Sequence, residues 1–421
     1  MATVILISLL FILAFLRVPI AISLGISSII SLWMIDFSVD TVIQKMFTGV
    51  NSTTLMAIPG FVFAGLIMAK GGISKYLIEC IRAWIGHTRG GLSIVTIVTC
   101  MIFAAISGSS PATAAAIGAI MIPMMVEAGY DKKYAMGLVA SAGTLGILLP
   151  PSIPLILYGS VAEESTGKLF SAGILPGIFL GGALIVSAVI VARTKNYGGL
   201  EKVPLSQRWR PTIKAFWGLI MPVLILGSIY TGIVTPTEAA FLSVLYALII
   251  SVVIYREITF KKFNSIVLES INTTSMIFLI IASALVFGMF LTTEQVPQMF
   301  ASWVSESGVN KWIFLGIVNV LFFILGMFLE PTAIILITLP IFLPILQTLD
   351  IDVIHFAIIM VVNMELGMIT PPVGLNLFVV SGMMKEKVEN VIKGVLPFFV
   401  IFVVVLIVII LVPEISLFLT R

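Results

Sequence analysis

Two segments of this chain place glycine, proline and hydroxyl residues inside apolar surroundings. The first is Ile106-Ser107-Gly108-Ser109-Ser110-Pro111-Ala112-Thr113, and its counterpart is Gly326-Met327-Phe328-Leu329-Glu330-Pro331-Thr332. Gly and Pro break a helix there, and the hydroxyls stand where backbone groups have lost their intrahelical partners. Beside each comes a second interruption: Ser141-Ala142-Gly143-Thr144-Leu145-Gly146 before Pro150-Pro151, and Asn363-Met364-Glu365-Leu366-Gly367 before Thr370-Pro371-Pro372. Two successive prolines remove two amide donors and free the carbonyls upstream. Freed carbonyls with Ser or Thr hydroxyls make a hard-oxygen cage suited to Na⁺, whereas helix N-termini at the tips favour a carboxylate. One such kink is ordinary packing; four in matched pairs need another explanation.

The matching extends along the chain. Leu145-Gly146-Ile147-Leu148-Leu149-Pro150-Pro151 returns 221 positions later as Leu366-Gly367-Met368-Ile369-Thr370-Pro371-Pro372. Gly173-Ile174-Leu175-Pro176 returns as Gly394-Val395-Leu396-Pro397, and Pro123 as Pro344, at the same offset. Pro111 matches Pro331, Trp84 matches Trp303 and Pro19 matches Pro236, with the offset drifting to 220, 219 and 217. Two halves with broken helices at corresponding positions are the signature of a secondary transporter.

The elements that position these breaks are membrane helices. The 421 residues are 60% hydrophobic and 10% charged, against about 25% charged in a soluble domain, with a mean hydropathy of +1.20. Apolar runs long enough to cross a hydrocarbon core of about 30 Å recur throughout, without the alternation of a β-barrel. The apolar first 35 residues lack a basic n-region and a small-residue cleavage site, and are read as mature helices. Cys80 and Cys100 make no disulfide framework.

The first half, 1–192, reads as helices near 2–16 and 19–35, a span at 51–70 and an amphipathic stretch at 72–85. An interrupted pair follows at 91–108 and 111–128, then a broken helix at 134–142 and 152–162, and a last span at 169–192. The second half, 215–421, repeats the series near 215–231, 236–255, 270–292, 296–306, 311–329, 331–349, 353–363, 373–384 and 395–412. Between them, 193–214 is a basic linker and is placed on the cytoplasmic side. If each interrupted pair enters and leaves on one face, alternation leaves 19 of the 23 Lys and Arg inside, with Lys45, Lys168, Lys311 and Arg421 outside. Asp131-Lys132-Lys133 then lies inside and its partner Asp350-Ile351-Asp352 outside; Lys385-Glu386-Lys387 lies inside and Glu163-Glu164 outside. This exchange of loop charge is what an inverted repeat requires, and both termini face outward. The expected fold is an all-α integral membrane protein, an inverted-topology repeat with two re-entrant helical hairpins and two broken helices.

An unpaired acid in apolar surroundings costs about 2.5–3.5 kcal/mol on insertion scales. Glu238 has a structural explanation, since Thr235 at N-cap, Pro236 at N1 and Glu238 at N3 form a capping box. Glu330 either complements the helix start at Pro331 or belongs to the site. Glu365 is read as facing a cavity or an ion, and Glu127 as interfacial. His87 and His355 fall at loop or helix ends, the tryptophans anchor interfaces, and Met121 to Met125 is packing. No HExxH, GxSxG or paired intramembrane Asp motif supports an enzyme.

The tip Ile106–Thr113, followed by Gly232-Ile233-Val234-Thr235-Pro236-Thr237-Glu238-Ala239-Ala240, resembles the large membrane subunit of tripartite ATP-independent periplasmic (TRAP) transporters. Gly326-Met327-Phe328-Leu329-Glu330-Pro331 and the two Pro-Pro segments add to the likeness, which covers essentially the whole chain. It implies a bacterial inner-membrane, Na⁺-coupled importer of organic acids, of the sialic-acid or C4-dicarboxylate class. It implies two partners: a small four-helix membrane subunit, expected as a separate chain, and a periplasmic substrate-binding protein. No nucleic-acid partner is expected. It also implies an elevator-type, ion-transporter-like architecture, with a transport domain at about 91–162 and 311–384. The scaffold would be about 1–70, 169–192, 215–292 and 395–412.

Carried over by position, two or more Na⁺ ions would sit at Ser107, Gly108 and Ser109 with Gly143 and Gly146, and at Gly326 and Met327 with Glu365, Gly367 and Thr370. Substrate would sit between the tips, near Ser107, Ser109, Ser110, Thr113, Glu330, Thr332 and Asn376. The second tip departs from a Ser-rich turn, so its ligands would be mainly backbone carbonyls. The amphipathic stretches near 38–48, 72–85, 260–269 and 296–306 are either interfacial arms or ordinary connecting helices. The nearest alternative is a stand-alone Na⁺/dicarboxylate symporter of similar plan.

Overall fold

A computed structural model describes residues 2–16 and 18–420; Arg421, placed outside by the charge count, lies beyond the described residues. The first half contains α1 (Ala2–Phe15), α2 (Ile20–Trp33), α3 (Val39–Val50), α4 (Ala57–Lys70) and α5 (Ile73–Ile85). Then come α6 (Gly91–Ser107), α7 (Ser110–Glu127), α8 (Lys132–Gly143), a 3-10 turn at Thr144–Ile147, α9 (Ile153–Ala162) and α10 (Thr166–Thr194). The second half begins with α11 (Leu205–Tyr230), α12 (Pro236–Ile249) with a π turn at Ile250–Ile254, α13 (Phe260–Thr293) and α14 (Val296–Glu306). It ends with α15 (Lys311–Gly326), α16 (Pro331–Thr348), α17 (Val353–Met368), α18 (Leu375–Met384), α19 (Val388–Leu411) and α20 (Glu414–Leu417). Among the described residues, every regular element is helical.

Among the described residues, seven helices, α7, α10, α11, α12 with its π extension, α13, α16 and α19, are long and apolar enough to cross a membrane. Counted as one span, the bent pair α4–α5 raises the number to eight. That pair turns through 61° at Gly71-Gly72, where Gly72 takes φ +90°, a conformation that glycine enters freely. The stretch expected at 72–85 is therefore the second arm of a bent helix.

Other boundaries differ from expectation for local reasons. The helix expected at 270–292 starts ten residues earlier, at Phe260, because no Gly or Pro occurs between Phe260 and Gly288. The stretch 260–269 is thus part of α13 rather than a separate arm. The linker expected at 193–214 is helical at both ends, since α10 continues to Thr194 and α11 starts at Leu205. In α11, Arg208 is buried; its guanidinium faces Trp84 at 5.4 Å and donates to the Val203 carbonyl at 2.9 Å. The second broken helix runs unbroken through Asn363–Gly367, so Glu365 lies within α17 and not in an unwound segment. A proline deprives only the carbonyl four residues upstream, and the first proline here is Pro371. The first broken helix gives way earlier, at Gly143, where Gly143 and Gly146 weaken the last turn.

The halves pack reciprocally. α2 lies on α13 and α4 on α12; α7 lies on α18 and α16 on α9; α8 lies on α19 and α10 on α17. Each contact recurs with the halves exchanged, as a two-fold relation demands. Small residues allow the closest of these approaches. A Cβ on Gly394 would fall 1.9 Å from the Lys133 carbonyl oxygen, and one on Gly137 would fall 2.0 Å from the Gly394 carbonyl carbon. At the same end, Lys132 pairs with Glu386 at 2.7 Å. α10 also packs on α6 and α9, and α19 on α17 and α18.

The contact between α8 and α19 has a measurable consequence. Gly394→Ala overpacks it and should cost about 1–3 kcal/mol. Gly182→Ala, whose Cβ would meet nothing within 4 Å, should stay within about 0.5 kcal/mol of wild type. Thermal unfolding of the detergent-solubilised protein reads both; equal melting temperatures for the two variants would refute the close approach.

Candidate functional site

The first tip is built by a stop and a restart. α6 ends at Ser107, Gly108 closes the turn at φ +62°, and Ser109 is extended before α7 starts at Ser110 with Pro111 in its first turn. Pro suits that position because its missing N–H would be unpaired there in any case. The hydroxyls lock the turn: Ser107 Oγ lies 2.8 Å from Thr113 Oγ1, which donates to the Ser109 carbonyl at 2.9 Å. The second tip follows the same plan with other side chains. α15 ends at Gly326, Glu330 is extended, and α16 starts at Pro331.

Both tips are pinned by backbone amides that follow a Pro-Pro pair. The Ile153 N–H donates to the Gly108 carbonyl at 3.4 Å. In the other half, the N–H groups of Val373 and Gly374 donate to the Met327 carbonyl at 3.2 and 3.1 Å. Gly374 is the repeat partner of Ile153, again 221 positions on. Glycines make the approach feasible. A Cβ on Gly146 would fall 2.5 Å from the Ser109 carbonyl oxygen, and one on Gly367 would fall 2.6 Å from Gly326 backbone. Gly143 meets Ala114 in the same way, at 2.7 Å. Of the residues assigned to each ion site by position, Ser109 therefore lies against Gly146, and Gly326 against Gly367.

The two tips share a cavity of about 690 Å³. Ser107, Gly108, Ser109 and Ser110 line it from one half, Glu330 and Thr332 from the other. α4 and α13 form the opposing wall with Gly65, Leu66, Lys70, Glu269 and Thr273. Of the residues assigned to substrate, Thr113 and Asn376 are not on this wall; both are fully buried behind it. Asn376 joins the halves instead. Its Nδ2 lies 2.8 Å from Ser110 Oγ and 2.9 Å from the Ala140 carbonyl oxygen.

Of the acids, Glu238 makes the expected capping box, with the Thr235 N–H donating to its carboxylate at 2.7 Å. Glu330 makes no side-chain cap to α16 and lines the cavity. Glu365 is wholly buried, and neither carboxylate oxygen has a hydrogen-bond partner among the described residues. Thr370 donates to the Leu366 carbonyl at 2.6 Å. Lys70 and Glu269, which pair across the α4–α13 wall, were not singled out from sequence. The available signal was Glu269 and Thr273 one turn apart, on one face of what is now a continuous helix.

Asn376→Ala should cost about 1–3 kcal/mol, because it leaves the Ala140 carbonyl and the Ser110 hydroxyl with one partner fewer in a buried site. Ser110→Ala, which leaves the bond to Ala140 in place, should cost less. Melting curves test the order; an Asn376→Ala protein as stable as wild type would remove the bridge.

The sequence family described as tripartite ATP-independent periplasmic transporter, DctM component, matches residues 7–415. The C4-dicarboxylate TRAP transporter large permease protein DctM of Pseudomonas aeruginosa is 47% identical over 94% of this chain and 93% of its own length. The sialic acid TRAP transporter large permease protein SiaM of Vibrio cholerae is 36% identical over 85% of this chain and 84% of its own. Among solved structures, the Alcanivorax borkumensis YdaH transporter superposes with a TM-score of 0.64 over 90% of this chain and 86% of that one. At 14% identity this is a likeness of fold alone. The extent of the family match, with close relatives along nearly the whole length, establishes that this chain belongs to the large permease (DctM) family of TRAP transporters, and is a transport protein rather than an enzyme.

Proposed function

We propose that this subunit carries an organic acid into the cell together with Na⁺, by an elevator movement between two bodies. One observation carries the reading: tips from opposite halves, each pinned by the segment after a Pro-Pro pair, line a single cavity. α6 and α15, at 17 and 16 residues, lie at the lower limit of the roughly 17–25 residues that span a bilayer, and each is followed directly by a break. That supports two re-entrant hairpins entering from opposite faces, and the alternating loop charge supports the inverted repeat. The orientation proposed is the one with the basic 193–214 region cytoplasmic and both termini periplasmic, in a bacterial inner membrane.

The moving body comprises α6–α9 and α15–α18. We add α10 and α19, assigned to the scaffold on sequence grounds, because they pack on α6, α8, α9 and α17. α1–α5 and α11–α14 form the scaffold. Na⁺ suits the oxygens at the breaks. No group of three His, Cys, Asp or Glu side chains that could hold a metal occurs among the described residues, so the donors are hydroxyls, carbonyls and the lone Glu365. The unpartnered, buried Glu365 carboxylate fits a cation better than it fits apolar packing. Bound Na⁺ orders each tip against its Pro-Pro segment, and cargo completes the site between the helix N-termini of α7 and α16. The loaded body then shifts past α4 and α13. Ions bias this exchange only through unequal affinity for the two positions. The family supports two partners, a small membrane subunit and a periplasmic binding protein that presents the acid and sets its identity.

Reconstituted uptake with both partners, comparing succinate with N-acetylneuraminate in Na⁺ and in K⁺, tests the reading. Wild type should accumulate one of these acids only with a Na⁺ gradient. Ser109→Ala with Thr370→Ala should raise the half-activating Na⁺ concentration roughly tenfold; unchanged Na⁺ activation would take those hydroxyls out of the ion sites.

A further inference from the structure

Three charged side chains line the cavity: Lys70, Glu269 and Glu330. Without cargo the cavity lining is net negative, a poor receptor for a carboxylate. Among the described residues, Lys70 is the one side-chain cation lining the cavity, and its ammonium is held by Glu269. The pair stands on α4 and α13, the opposite wall from the tips. Its exposure matters: the Lys70 side chain is 34% exposed and that of Glu269 46%. A half-hydrated pair of this kind is held weakly and exchanges partners easily. Glu269, once released, regains water at little cost, and a cargo carboxylate can take its place with the same donor geometry.

We propose that Lys70 is a second carboxylate contact, an exit station on the scaffold, and that Glu269 is the internal competitor that clears it. The inference rests on the organic-acid carrier reading above and deepens it. Lys70 ends α4 on the side that the charge distribution assigns to the cytoplasm. A carboxylate leaving the tips therefore meets an ammonium on the opposite wall of the same cavity. Glu269 then displaces the cargo and restores a neutral pair. Without Glu269 the cation would retain the acid; without Lys70 the departing carboxylate would face only Glu269 and Glu330.

The two residues of the pair therefore have opposite effects on cargo binding, which a merely structural pair cannot produce. Succinate and N-acetylneuraminate serve as probes in calorimetric titrations of the full chain with its small subunit in nanodiscs. Lys70→Met should raise the dissociation constant of the acid that binds roughly tenfold, and Glu269→Gln should lower it roughly threefold. Lys70→Arg should stay near wild type. Shifts in the same direction for Lys70→Met and Glu269→Gln, no shift in either, or no binding of either acid to wild type would overturn the proposal. Opposite shifts that persist with K⁺ in place of Na⁺ would uphold the exit station while counting against Na⁺ coupling.

Discussion

A helix interrupted in lipid leaves amides and carbonyls that only the protein can satisfy. Here the carbonyls of Gly108 and Met327 are met by amides of Ile153, Val373 and Gly374, each just past a Pro-Pro pair. This constraint organises the rest. The prolines end a helix and so free the carbonyls before them, while the amides after them turn toward the tip. Gly146 and Gly367 must lack side chains, or the tip could not come within bonding distance. Because each half makes the same bond, the two tips reach one cavity and the halves interlock through α7–α18 and α9–α16.

In the proposed function, binding draws on the oxygens around those breaks. An isolated backbone break in a membrane is a defect; two breaks facing each other, with hydroxyls at their edges, are the arrangement on which the proposed cation sites rest. The helix starts at Ser110 and Pro331 direct their amide ends toward the cavity between them, and that favours an anion. The scaffold wall adds a charge balance of its own, with Lys70 engaged by Glu269 across α4 and α13. In the proposed function, ion, acid and wall are three parts of one electrostatic arrangement.

The sequence exposed much of this, and its failures have physical causes. Gly, Pro and Ser at Ser107–Pro111, and the paired prolines, mark breaks whatever the surroundings, so the helix order and the repeat could be read directly. The bond from Ile153 to Gly108 could not, because it joins segments 45 positions apart by backbone groups that every residue carries. The two prolines that follow Glu365 suggest an unwound stretch around it, yet a proline frees a carbonyl only four residues back. The polar start of α13 resembled a separate interfacial helix because a helix leaving the bilayer changes its coat without changing its backbone. Asn376, assigned to substrate only by position, has its amide turned to Ser110 and Ala140, a contact that joins segments 266 and 236 residues apart. Lys70 and Glu269 stand 199 residues apart and meet only because α4 lies on α13.

Hydrogen exchange tests the central claim most directly, since it reports the amides at the tips and after the Pro-Pro pairs. In Na⁺, peptides covering 106–113, 151–155, 326–332 and 371–376 should exchange more slowly than in K⁺, while those from α2 and α12 stay unchanged. Equal exchange at the tips in the two ions would contradict an ion-ordered pair of breaks, and with it the coupling built on them.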